Sequence, residues 1–111
     1  MIEEVKEKFT KIYERAKIKM GDELSTWNKA FQFKIIDGEP FYIEFSGGKV
    51  KVEKGEHPSP LATISMEKSI LDKILNGELD TVTAFIRGMI EISGNIFETA
   101  NLRRIICAAK I

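Results

Sequence analysis

The sequence predicts a single α+β domain over residues 1–111: a five-stranded, mostly antiparallel sheet with helices packed on one face. Three observations carry this. A 3.6-residue apolar period opens the chain, a two-residue alternation punctuated by Asp37-Gly38 and Gly47-Gly48 follows, and helical periods return after Ser65. In the first segment Ile2, Val5, Phe9, Ile12, Tyr13, Ala16 and Met20 recur at three- and four-residue spacing with charges between them. That is an amphipathic helix of about five turns over residues 1–20, stopped by Gly21-Asp22. Phe31, Phe33 and Ile35 then alternate with Gln32 and Lys34, Phe41, Ile43 and Phe45 with Tyr42 and Glu44, and Val50 and Val52 with lysines. Such strands form a meander with one apolar and one wet face. Gly55 to Pro60 is a loop, because Pro58 and Pro60 bar regular structure, and Ala62 to Ile64 reads as a fourth strand.

The second half is helical with one strand in it. Ser65 is a candidate cap for a helix that carries Met66, Ile70, Leu71, Ile74 and Leu75 on one broad face, and Gly77 is its stop. Asp80 caps a short helix bearing Val82, Phe85, Ile86 and Met89, which Gly88 closes. Ile90 and Ile92 bracket Glu91 in a last strand, and Asn95 caps the final helix. In that helix Ile96 and Ala100 point away from Leu102, Ile105, Ile106 and Ala109. Two apolar sectors mean that the helix is packed on two sides or offers one side to a ligand or partner.

Composition excludes several functions. Seventeen basic and seventeen acidic residues cancel, without the basic excess expected of a nucleic-acid partner. No apolar run is long enough to cross a bilayer, and charge alternates with apolar residues from Ile2 onward, unlike a secretory leader, so the expected address is the cytoplasm. The richness in Lys, Glu and Ile suits a thermophile. The single cysteine, Cys107, forms no internal disulfide and is expected to be a buried packing residue.

Catalytic chemistry has no foothold. His57, the one histidine, stands in a proline-bounded loop without metal-ligand spacing and reads as an ordinary surface residue. Neither Ser46 nor Ser93 lies on a nucleophile elbow. Gly47-Gly48-Lys49 lacks the rest of a phosphate loop and reads as a hairpin turn, and the pairs Glu3-Glu4 and Asp22-Glu23 sit at helix ends. No cofactor, metal site or enzymatic activity is expected. What remains is an apolar set able to point between sheet and helices: Met66, Ile70, Ile74, Leu79, Phe85, Met89, Ile90, Phe97, Leu102 and Ile106. Periodicity alone leaves these as core or as the lining of a ligand cavity.

The stretch Asn76-Gly77-Glu78-Leu79-Asp80, Ala84-Phe85, Gly88, Ile90-Glu91-Ile92-Ser93-Gly94-Asn95 resembles the sterol carrier protein type-two family. Its Gly-x-Leu-Asp, Ala-Phe, Gly and Ile-x-Gly-Asp/Asn series stands at the matching spacings. Phe31 to Gly38 resembles the family's first hairpin and Ala62 to Met66 its entry into the helical half, so the likeness spans about residues 24–107. The resemblance implies an apolar tunnel between sheet and helices, lined by the inward sheet face (Phe33 among it) and by the helices after Ser65, Asp80 and Asn95. It implies non-catalytic carriage of a lipid or other apolar small molecule: fatty acyl, fatty acyl-CoA, isoprenoid or sterol-like. Transient membrane contact is compatible with it. The alternative is a protein-interaction or dimerisation module, accessory to a lipid- or quinone-related system and working as a homodimer or with another partner. Where the family often has lysine after the glycine matched to Gly88, this chain has Met89, which leaves head-group preference open. The final Ala109-Lys110-Ile111 looks a little like a peroxisomal address, which usually ends in leucine.

Overall fold

A computed structural model describes residues 1–110; the likeness to a peroxisomal address turns on Ile111, which lies outside them. Helix α1 spans Ile2–Met20 and buries Val5, Phe9, Tyr13 and Ala16, the stripe that the periodicity picks out. Gly21 at φ 59° ends it by donating its N–H to the Lys17 carbonyl. A tight helical turn, Gly21–Thr26, leads into β1 (Asn28–Ile35), followed by β2 (Phe41–Ser46), β3 (Lys49–Lys54) and β4 (Ala62–Met66). Then come α2 (Lys68–Leu75), α3 (Thr81–Ile86), β5 (Glu91–Gly94), a short turn at Ile96–Glu98 and α4 (Thr99–Ala108).

The five strands form one sheet in the order β3-β2-β1-β4-β5. All neighbours are antiparallel except β1 and β4, which run parallel from Phe31↔Ala62 to Ile35↔Met66. Alternation sends Phe31, Phe33, Ile35, Phe41, Ile43 and Phe45 to the helix side, where all are buried. Phe45 is fully buried, and the rings of Phe9, Tyr13, Trp27 and Phe31 surround it at centroid distances of 5.3–6.3 Å. Helix α1 packs on β3 and on α4, closing this half of the core.

The parallel pair requires the chain to pass from β3, at one edge, to the far side of β1 in only the residues between Lys54 and Ala62. This crossover loop lies on the face away from the helices, so that face is not wholly wet. Gln32, buried there, donates to the carbonyls of Phe41 and Gly55 and accepts from the His57 N–H. The expectation of an ordinary surface histidine fails for the same reason. The side chain of His57 is only 13% exposed and its Nε2 lies 2.8 Å from Glu44 Oε2. Because the Ser59 N–H donates to Nδ1, the ring proton of neutral His57 sits on Nε2 and is given to Glu44.

Three other local expectations shift. Ser65 lies within β4 and does not cap α2; Asp37 of the β1–β2 turn accepts from the Lys68 N–H at 2.8 Å instead. Cys107 is half-buried, not buried. Asp80 does stand at the N-cap of α3, but its carboxylate is held by Arg103.

Two positions yield direct stability tests. Gly94 has φ 89°, and a Cβ there would meet the Leu61 carbonyl oxygen at 2.8 Å and Ala62 Cα at 3.0 Å, both backbone. Gly94→Ala is expected to cost about 1–3 kcal/mol by chemical denaturation. The Tyr13 hydroxyl, by contrast, is buried without a hydrogen-bond partner among the described residues, and burial pushes its pKa above the usual value. Removing that unsatisfied oxygen in Tyr13→Phe is expected to raise stability by about 1 kcal/mol. A loss measured instead would mean that the hydroxyl has a partner.

Candidate functional site

Between the sheet and the helices the core does not fill. A cavity of about 230 Å³ lies there. Its floor is Phe33, Phe41, Ile43, Ile64, Met66 and Ile92 from the strands, with Val5 and Phe9 of α1 at one end. Leu71, Ile74 and Leu75 of α2 form one wall. Thr81, Val82 and Phe85 of α3, with Ile96, Phe97, Ala100, Leu102 and Ile106 from the last turn and α4, form the other and its mouth. Thr81, Thr99 and Arg103 are the polar side chains in the lining.

The helices around the void are short and end abruptly. Helix α2 stops at Gly77, φ 77°, where the Glu78 N–H bonds back to the Lys73 carbonyl. Helix α3 stops in the same way at Gly88, φ 72°, with Met89 bonded to Ala84. These left-handed turns bring α2 and α3 round as short separate pieces, a frame instead of a lid. The second apolar sector, divided between the Ile96–Glu98 turn and α4, faces the opening: Ile96 is 45% exposed and Ala100 is exposed, whereas Leu102 and Ile105 are buried. The rim continues onto the surface through Val82, Ile86 and Phe97; Phe97 is 91% exposed.

Of the sequence-predicted set, Phe33, Met66, Ile74, Phe85, Ile90, Phe97, Leu102 and Ile106 come together around the cavity. Ile70, Leu79 and Met89 do not line it; they are half-buried and pack against the core from outside. Thr81, Val82, Ile96 and Arg103 line it and were not among the predicted site residues. For Ile96 a signal existed in the split apolar pattern of α4; for Arg103 a charged residue within an apolar helix was the signal.

Ion pairs tie α4 and the turn before it to the rest of the fold, one of them at the cavity wall. Arg103 Nε lies 2.7 Å from Asp80 Oδ1, joining α4 to the start of α3, and this guanidinium holds the Asp80 carboxyl below the usual carboxylate range. Lys29 reaches Glu98 at 2.9 Å and lowers that carboxyl likewise, and Arg104 grips Glu23 through Nη1 and Nη2, each at 2.7 Å. Among the described residues no group of three or more His, Cys, Asp or Glu could hold a metal ion, and no helix is long and apolar enough to cross a membrane.

A sheet of this order with an apolar cavity under its helices has relatives. The SCP-2 sterol transfer family matches residues 9–106. This chain belongs to the SCP-2 sterol transfer family. No curated protein matches the sequence. Among solved structures, sterol carrier protein 2 of Aedes aegypti, in complex with the C16 fatty acid palmitate, superposes with a TM-score of 0.71 at 21% identity, over 94% of each chain. Palmitated SCP2L2 from the same mosquito gives a TM-score of 0.62 at 26% identity, covering 86% of this chain and 91% of that one. The sec-alkylsulfatase Pisa1 of Pseudomonas sp. matches with a TM-score of 0.68 at 19% identity over 76% of this chain. This SCP-2 chain spans only 14% of that enzyme, so the likeness concerns one part of it.

Proposed function

We propose that this SCP-2 domain binds a lipid-like apolar ligand without catalysing its conversion, and that the cavity between sheet and helices is the binding site. The observation that carries this reading is the cavity itself: about 230 Å³ of apolar-lined space where close packing would be worth more to the fold. Family membership and the palmitated relative at 26% identity support it. Each chain methylene moved from water into such a site contributes about 0.8 kcal/mol before the costs of binding. Phe33, Met66, Ile74, Phe85, Ile90, Phe97, Leu102 and Ile106 would touch the chain.

Small-molecule sites run to roughly 300–1,000 Å³, so a long chain would need the cavity to widen. The α3–α4 mouth is where widening costs least, since its rim residues are already exposed. The test is native mass spectrometry of freshly purified protein, followed by organic extraction. A stoichiometric lipid adduct supports the reading; a bare mass that stays bare with added fatty acid refutes it.

A second reading rests on the exposed apolar rim, with Phe97 91% and Ile86 77% exposed. In that reading the rim docks a partner chain or a second copy, and concentration-dependent dimerisation lost in Phe97→Ser would favour it.

A further inference from the structure

The cavity is apolar except at one end, and there its polar groups converge. Thr99 and Arg103 are four residues apart on α4 and so share a face, and Thr81 stands next to Asp80, which Arg103 grips. The guanidinium uses Nε and Nη2 on Asp80, at 2.7 and 3.4 Å. Its Nη1 has no partner among the described residues. Of the five N–H donors of an arginine, three are therefore unspent, and two of them lie side by side along the Nη1–Nη2 edge. The side chain is 43% exposed, so this edge is reachable from the mouth while the stem lines the cavity. A second cation is close: the Lys110 stem lies over Gly77, 3.3 Å from where a Cβ would stand, and its charge acts on Asp80. Asp80, Arg103 and Lys110 together carry one net positive charge at the polar end of a greasy hole.

Resting on the reading of the cavity as a lipid site, we propose that Arg103 reads the ligand's head. Asp80 fixes the guanidinium in place, and its open edge accepts an anionic two-oxygen group, a carboxylate, from a single-chain amphiphile whose tail fills the cavity. Bound in this way, the ligand's charge brings the three-residue cluster to neutrality. A neutral head, such as a hydroxyl or an ester, leaves that edge to water. Because the edge is hydrated to begin with, the preference for an anion is moderate and not absolute.

The test is the affinity of the intact protein for hexadecanoic acid and for its methyl ester, measured side by side at neutral pH and low salt. The parent is expected to favour the acid by about tenfold, the order of one hydrogen-bonded charge contact. Arg103→Gln should bring the acid-to-ester ratio close to one. Asp80→Asn keeps one oxygen to hold Nε of Arg103 and removes the competing charge, so it should keep or raise the ratio. A ratio near one in the parent, with both compounds bound, overturns the role of Arg103 and leaves the cavity reading standing. A ratio unchanged in Arg103→Gln does the same. If Arg103→Gln and Asp80→Asn weaken both compounds alike, the pair is a brace between helices and the proposal fails. Failure of the parent to bind either compound removes the cavity reading and this inference together.

Discussion

Ala100→Phe is expected to weaken uptake of a sixteen-carbon chain by well over tenfold while leaving the protein folded. Ala100 lines the mouth on α4, on the same face as Ile96 and Arg103, and is exposed, so a larger side chain there has room to exist. That room is the ligand's. A phenyl ring occupies the space of about three methylenes, which at ~0.8 kcal/mol each is roughly a fifty- to hundredfold loss of affinity. The unfolding free energy should move by no more than about 0.5 kcal/mol, as for other exposed positions. Both quantities are read in one experiment by titrating a fluorescent fatty acid and then melting the same sample. Uptake that survives in a folded variant means that the chain does not enter between α3 and α4. Charged replacements at Phe85 or Ile106 would also stop binding, but Ile106 packs against the core, so its loss confounds binding with folding.

The largest stability effect is expected at Phe45→Ala, on the opposite side of the core from the mouth. Phe45 is the ring that Phe9, Tyr13, Trp27 and Phe31 all touch, so its removal unstitches α1 and the turn before β1 from the sheet at once. Truncating a buried phenylalanine costs about 3–5 kcal/mol, against a total of roughly 5–15 kcal/mol for a domain of this size. The thermal midpoint should fall by roughly 15–30 °C. A drop of only a few degrees would mean that α1 is loosely docked. Ligand uptake is a useful second readout, because Phe45 is not part of the cavity lining.

The architecture was legible because each element carries its own period. α1, the meander and the glycine stops at Gly77 and Gly88 are local features, and alternation at Phe31, Phe33 and Ile35 tells which face of β1 the helices cover. What was not legible is long-range. Nothing local in Ala62 to Met66 says that β4 lies parallel to β1, since a strand's own pattern is the same in either direction. The cap on α2 comes from Asp37, thirty-one residues upstream, so Ser65 looked like the better candidate. The same limit explains why some of the expected lining residues face the cavity and others do not. Periodicity separates apolar from polar sides of a helix, but it does not tell an apolar residue facing packed atoms from one facing a void. Ile70 and Ile74 share a helix face, yet only Ile74 reaches the cavity. Arg103 was invisible to a search for apolar residues, although it occupies a position in the wall.

The first helix of the chain leans on the last, and Lys19 even donates to the Lys110 carbonyl at 2.8 Å. For a chain made in one direction this has a cost in time. At roughly 5–20 residues per second, α1 leaves the ribosome several seconds before α4 exists. The meander can cover part of its greasy stripe in the meantime, but the side that meets α4 stays bare until the last element emerges. During that interval the nascent chain shows water an uncovered apolar strip, the kind of surface that chaperones hold, and the domain is complete only when its final helix closes over its first.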